Sequence, residues 1–234
     1  MQAVILAGGK GTRLKPFTNV IPKPLVPLGD QPILEIILKQ LHHHGVNEVI
    51  IAVNHLSHLI KAFFGNGEDL GLSIRYSKEE KPLGTAAPLK QINGLDKTFL
   101  VLNGDLLTTI NYKEMFQRQI KTNADLLIGT YSKKVKIDLG VIESEGENFI
   151  SYTEKPELKY DVSMGLYVIN REVLRHIPEN QAYDMPDLVR KAHEEGDAVR
   201  CYKGDFEWLD IGRIEDYEMA VKLFKNDKNK YLSE

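Results

Sequence analysis

The 234-residue chain contains one cysteine, Cys201. No disulfide can close within it, and no Cys-based metal site can form. A single thiol fits a reducing compartment, so the expectation is a cytoplasmic protein. No apolar run approaches the ~20 residues that a membrane helix needs. The Met1-Gln2 start also lacks the basic region of a signal peptide. There is no large excess of either charge, since the net value is −3. That argues against a nucleic-acid partner held on a broad basic face. Repeats, low-complexity stretches and linkers are absent too. With 42% hydrophobic residues, the chain suits one large domain with a well-buried core. Cys201 sits in the apolar–polar alternation AVRCYKG, which points it toward a core.

What is present is an alternation of strand-like and helix-like segments. Ala3–Ala7, EVIIAVN, TFLVLNGD and ADLLIGTYS read as buried strands, and SIRYS as a short one. Between them, DQPILEIILKQLHHHG reads as a helix capped by Asp30, HLSHLIKAFFG as one capped by Asn54, and GTAAPLKQI as one capped by Thr85. NYKEMFQRQIKT is a further helix. After about residue 135 the texture changes to two strands around SEGEN and a strand at VSMGLYVIN. Helices follow at REVLRHI, MPDLVRKAHEEG and IEDYEMAVKLFKN, with short strands at AVRCYKG and EWLDIG. The fold class is therefore α/β: a Rossmann-like, mixed but mostly parallel sheet flanked by helices, with a small antiparallel extension. The domain is expected over 1–226, followed by a fraying polar tail at 227–234.

The stretch AVILAGGKGTRLKPFTNVIPKPL, residues 3–25, carries Lys10, Arg13, Lys15 and Lys23 and no acid. A strand running into glycines is a common phosphate cradle, because backbone N–H groups can approach the anion and a following helix terminus adds positive charge. Two general patterns fail. Lys10 precedes Gly11-Thr12, the wrong order for a P-loop, and Leu14 stands where a dinucleotide fingerprint needs its third glycine. What remains is G-G-x-G-T-R-L, then P-x-T, then P-K-P-L. This resembles the signature of the sugar-1-phosphate nucleotidylyltransferases, or NDP-sugar pyrophosphorylases. The short form is most similar to mannose- and heptose-1-phosphate guanylyltransferases and single-domain uridylyltransferases.

The resemblance implies that a nucleoside triphosphate (NTP) and a sugar 1-phosphate are the partners and that pyrophosphate leaves. Arg13 would take the β- and γ-phosphates as a planar fork. Lys23, stiffened between Pro22 and Pro24, would place a charge at the α-phosphate. Leu6, Ala7, Gly8, Gly9, Gly11 and Thr12 would border the nucleotide, together with Asn103 and Gly104. KEEKPLGTAAPL resembles the base-reading segment, with Glu79, Pro82, Gly84 and Thr85. An acid at Glu79 can accept from guanine N1–H and N2–H₂, which favours GTP; alternatively, Glu79 and Glu80 are a solvated charge pair.

Asp105 ends a strand, where open α/β sheets place their ligands, and Asp210 ends another. The resemblance makes both of them Mg²⁺ ligands; turn and cap roles are the alternatives. On the sugar side it implies Gly140, Glu154, Lys155 and Gly165. The resemblance runs to about Tyr217, without a C-terminal β-helix domain. A homodimer or higher homo-oligomer is left open. UTP with a hexosamine or muramic-type phosphate, and CTP with phosphocholine or a sugar phosphate, are alternative substrate pairs. A catalytically silent NDP-sugar-binding subunit is the rival from another class; such relatives usually lose the Arg, Lys or Asp retained here. His42-His43-His44 point in three directions along a helix and cannot chelate together.

Overall fold

The computed structural model describes residues 1–79 and 81–232. Glu80, read from the sequence as one half of a charge pair, lies outside them, as do the last two residues of the tail. In chain order the strands are β1 (Gln2–Ala7), β2 (Pro27–Leu28), β3 (Gln31–Pro32), β4 (Glu48–Val53), β5 (Ser73–Lys78), β6 (Thr98–Asn103) and β7 (Leu106–Thr108). There follow β8 (Leu126–Lys136), β9 (Val141–Glu145), β10 (Asn148–Thr153), β11 (Glu157–Asn170), β12 (Val199–Tyr202) and β13 (Trp208–Asp210). The helices are α1 (Ile33–His43), α2 (Ser57–Phe64), α3 (Ala87–Lys90), α4 (Tyr112–Thr122), α5 (Met185–Glu194), α6 (Ile214–Asn226) and α7 (Lys228–Tyr231).

Seven strands form the central sheet in the order β12-β8-β11-β6-β1-β4-β5. Neighbouring strands run parallel except for β11, which is antiparallel to both β6 and β8. The expected mixed, mostly parallel sheet is what forms. Its central strands are apolar throughout because both faces are covered. In β1, Ala3, Ile5 and Ala7 face a core built with α1, α2, α4 and α6, whereas Val4 faces one built with α3 and α5. Ile33, Leu34, Ile36, Ile37, Leu38 and Leu41 of α1 are at most 1% exposed; each such side chain contributes roughly 1.5–3 kcal/mol relative to an exposed position. No described helix is long and apolar enough to cross a membrane.

Several local expectations are corrected. Asp30 does not cap α1, since β3 intervenes and Asp30 pairs instead with Lys228 at 3.0 Å. Asn54 does not cap α2, whose N-cap is Leu56 with φ 54°. Thr85 does not cap α3, because its hydroxyl is engaged by residues 184 and 185. REVLRHI winds as a 3-10 helix rather than an α-helix. Cys201 is exposed, because β12 is an edge strand with incomplete cover. The tail does not fray through residue 232: Tyr231 is 3% exposed, and its carbonyl accepts from buried Gln40 at 2.9 Å. The other Gln40 amide hydrogen goes to Thr108 O at 2.8 Å, so one side chain ties α1 to both β7 and the tail.

Candidate active site

Residues 8–10 leave β1 without regular structure, and Thr12–Leu14 then form a 3-10 turn. The helix terminus expected just after the glycines is therefore missing; the next α-helix begins at Ile33. What shapes the loop is Gly11, at φ 61°. A side chain there would come within 2.9 Å of Thr18 Cγ2 and 3.1 Å of Lys23 Cβ. Thr18 also donates to Gly11 O at 2.7 Å. The glycine lets the loop fold back onto Pro22-Lys23-Pro24, and that contact sets Lys23 beside the carboxyl end of the sheet.

There Lys23 Nζ donates to Asp105 Oδ2. Asp105 follows β6, and Gly104 N–H donates to Leu6 O at 3.0 Å, which holds the turn against β1. The second carboxylate arrives by a short antiparallel pairing. Asp210 of β13 lies opposite Leu106 of β7, and Ile211 N–H donates to Asp105 O at 3.1 Å. Two acids that are 105 residues apart in sequence become neighbours through this three-residue ladder. Burial pushes the Asp210 carboxyl above its ordinary range, the Asp105 charge adds to that, and Lys23 and Arg13 oppose it. Arg13 reaches the same corner: its Nη2 is 3.5 Å from where a Gly212 side chain would begin, and Asp210 Oδ2 is 3.6 Å from that point. Asp216 joins the group, with its Oδ2 at 3.6 Å.

A cleft of about 310 Å³ opens beside this cluster. Leu6, Ala7, Gly8, Gly9, Lys23, Asn103, Gly104 and Asp105 line one part; Glu79, Pro82, Gly84 and Thr85 line another. Pro24 completes the wall. Gly11, Thr12 and Arg13 are not among its lining residues. Glu79 is 7% exposed, so it is no half of a solvated pair. Burial raises its carboxyl above the usual carboxylate range, opposed by the Leu83 N–H at 3.5 Å.

Comparison with known proteins decides the family. The nucleotidyl transferase family matches residues 2–227. The chain is a member of it.

It is 33% identical to a UTP–glucose-1-phosphate uridylyltransferase of Synechocystis over 95% of this chain. It is 32% identical to a D-glycero-α-D-manno-heptose 1-phosphate guanylyltransferase of Campylobacter jejuni over 93% of it. The chain spans 63% of the length of the first relative and 97% of the second. In fold, a putative glucose-1-phosphate thymidylyltransferase structure from Bacillus anthracis superposes with a TM-score of 0.76 at 22% identity, covering 95% of this chain and 94% of that one.

In this member of the family the sugar-side candidates are less gathered. Gly165 lies in an irregular stretch of β11 against the end of β6, where a side chain would strike the Asn103 amide. Trp208 Nε1 donates to Met164 O at 3.0 Å, which ties that stretch to β13. Glu154 and Lys155 sit exposed after the β9–β10 hairpin and do not line the cleft. Tyr152 OH donates to Glu154 at 2.8 Å and lies over Gly140, leaving no room there for a side chain. A larger open cleft of about 710 Å³ lies between α1, residues 69–71 and the tail. Its Lys39 and Lys228 are paired with Glu35 and Asp30, so it holds no comparable convergence of charge. Sequence reasoning missed Pro24, Asp216 and Tyr152. Pro24 stood in the quoted P-K-P-L signature, but Asp216 and Tyr152 carried no local signal.

Proposed function

We propose that the chain transfers a nucleotidyl group from an NTP to a sugar 1-phosphate, releasing pyrophosphate. The observation that carries this reading is the junction of Lys23, Asp105 and Asp210 at the mouth of a cleft bordered by the glycine loop. Both substrates are anions, so the site must neutralise charge and align attack; little covalent chemistry falls to the protein. In this reading Lys23, which lines the cleft, takes the α-phosphate, and Arg13, beside Asp210, takes the departing pyrophosphate. Gly9 has open space where a side chain would begin and leaves its backbone free to face the phosphates, whereas the room at Gly8 is taken by Glu79 Oε1 at 2.8 Å.

The donors present suit Mg²⁺. Asp105 Oδ1 is buried without a hydrogen-bond partner, and a second carboxylate stands beside it. Among the described residues no set of three or more His, Cys, Asp or Glu side chains could hold a metal. Asp105 and Asp210 would therefore hold the ion together with phosphate oxygens and water. Bound there, it would supply charge compensation at the phosphates.

GTP is the preferred donor in this reading, because the buried Glu79 carboxylate can accept both guanine N1–H and N2–H₂. UTP is the second choice, favoured by the 33% identity to a uridylyltransferase. A pyrophosphate-release screen of GTP, UTP, CTP, ATP and dTTP against a panel of sugar 1-phosphates tests the proposal. Release from a single NTP class with a hexose- or heptose-type phosphate is expected; release from no pair would move the reading to a silent binding subunit.

A further inference from the structure

We propose that Asp184, at the start of α5, is a positioning residue that sets nucleobase preference by clamping the segment 83–87; this rests on the nucleotidyl-transfer reading above. Residues 183–185 are a hundred positions from that segment, yet they take up its polar groups one after another. Asp184 Oδ1 accepts from Thr85 N–H at 2.9 Å and from Thr85 Oγ1 at 3.1 Å. Met185 N–H donates to Thr85 Oγ1 at 2.8 Å. Ala86 and Ala87 N–H both donate to Tyr183 O, at 2.9 and 3.1 Å, and Tyr183 N–H donates to Leu83 O at 2.8 Å.

Gly84 shows how close the fit is. Its φ is 90°, and a side chain there would meet Asp184 Oδ1 at 2.7 Å and Tyr183 O at 2.8 Å. The missing Cβ thus makes room for the clamp, whatever its backbone offers a base. The same segment faces the cleft through Gly84 and Thr85. Its Leu83 N–H donates to the buried Glu79 carboxylate at 3.5 Å. Asp184 therefore reaches Glu79 through two short backbone steps without entering the cleft. Asp184 also caps α5, with Asp187 completing the box, so Asp184→Ala carries a stability cost of its own, about the size of one lost helix cap. Thr85 is exposed and outside that cap, so losing its bonds should cost little global stability. The segment would instead lose its fixed position, and with it the distinction between base edges.

The test compares wild type with Asp184→Ala, Asp184→Asn and Thr85→Val. For each, kcat/KM is measured with GTP, UTP, CTP and dTTP against one accepted sugar 1-phosphate, and hydrogen exchange is followed at the amides of 85–87. Asp184→Ala should raise KM for the preferred NTP and shrink the ratio of best to worst NTP by about tenfold, the factor that ~1.4 kcal/mol represents. KM for the sugar phosphate should hold, and exchange at Thr85 should quicken. Asp184→Asn keeps an acceptor oxygen and should retain the wild-type ratio. Thr85→Val loses the bridging hydroxyl and should follow the alanine variant. Faster exchange with an unmoved base ratio would make the clamp structural only and overturn the proposal, as would unchanged exchange in both disruptive variants. Absence of wild-type pyrophosphate release from every NTP would overturn the nucleotidyl-transfer reading and this proposal with it. Normal wild-type release with an unmoved ratio in Asp184→Ala would overturn this proposal alone.

Discussion

Replacing Lys23 with alanine removes the cation on which the proposed chemistry leans most. Its ammonium donates to Asp105, and the two side chains are only 12% and 18% exposed. The pair lies between the surface case, worth ~0–1 kcal/mol, and the fully buried case, where losing one partner costs ~3–5 kcal/mol. A destabilisation of about 1–3 kcal/mol follows from that position between the two. The kinetic effect should be larger in consequence. Lys23 is also one of two cations that hold down the Asp210 carboxyl against burial and the Asp105 charge. Without it, two carboxylates face the incoming phosphates with Arg13 as the opposing charge. By the measure of a lost charge-stabilising donor, turnover should fall by about 10²–10³. The assay is steady-state pyrophosphate release at saturating substrates, with thermal unfolding in parallel to separate misfolding from lost chemistry. Lys23→Arg restores charge with the wrong shape and should recover part of the rate. An alanine variant that stays folded and turns over within a few-fold of wild type would refute the role of Lys23.

Other outcomes follow from the same geometry. Asp105→Asn should abolish divalent-cation-dependent turnover while the protein stays folded, since it also relieves the charge that raises Asp210; full activity in a metal titration would contradict this. Glu79→Gln should change which NTP is preferred, because the buried carboxylate becomes a donor–acceptor amide; competition between paired NTPs reads this out, and an unchanged order removes Glu79 from base recognition. At Asp197, burial pushes the carboxyl up, but hydrogen bonds from Arg175 and His176 more than offset that and hold it below the ordinary value. Its contribution is present above the unfolded-state value of ~3.9 and lost as pH falls through the folded-state value. Asp197→Asn should therefore be less stable by about 1–2 kcal/mol at neutral pH. Denaturant titrations should show that gap closing below about pH 4; a gap independent of pH would contradict it.

The readable parts of the sequence were those with long, uniform patterning. β1, β4 and β6 show as unbroken apolar runs because each is covered on both faces. Asp105 could be placed at a strand end for the same reason. The junction of Asp105 with Asp210 was implied by the family resemblance and not by patterning, because β7 and β13 have only three residues each and no period can be read from three. Two of the missed caps share a cause: Asp30 and Thr85 have the right chemistry, but Lys228 and Asp184, distant in sequence, engage them. The tail looked polar by composition, yet buried Tyr231 anchors it, and Lys228 and Lys230 pair with Asp30 and Glu207. The glycines were the most deceptive. Gly11 and Gly84 read as openings toward a ligand, whereas the space each leaves is filled by Thr18 and Lys23 in one case and by residues 183–184 in the other.

Product identification distinguishes nucleotidyl transfer from every other fate of the NTP. The protein would be incubated with α-³²P-labelled GTP or UTP, Mg²⁺ and a sugar 1-phosphate accepted in the screen. Label should move into a nucleoside diphosphate sugar, with one pyrophosphate formed per product and no transfer when the sugar phosphate is left out. Label recovered only in unreacted NTP, or in free nucleoside mono- or diphosphate, would contradict it.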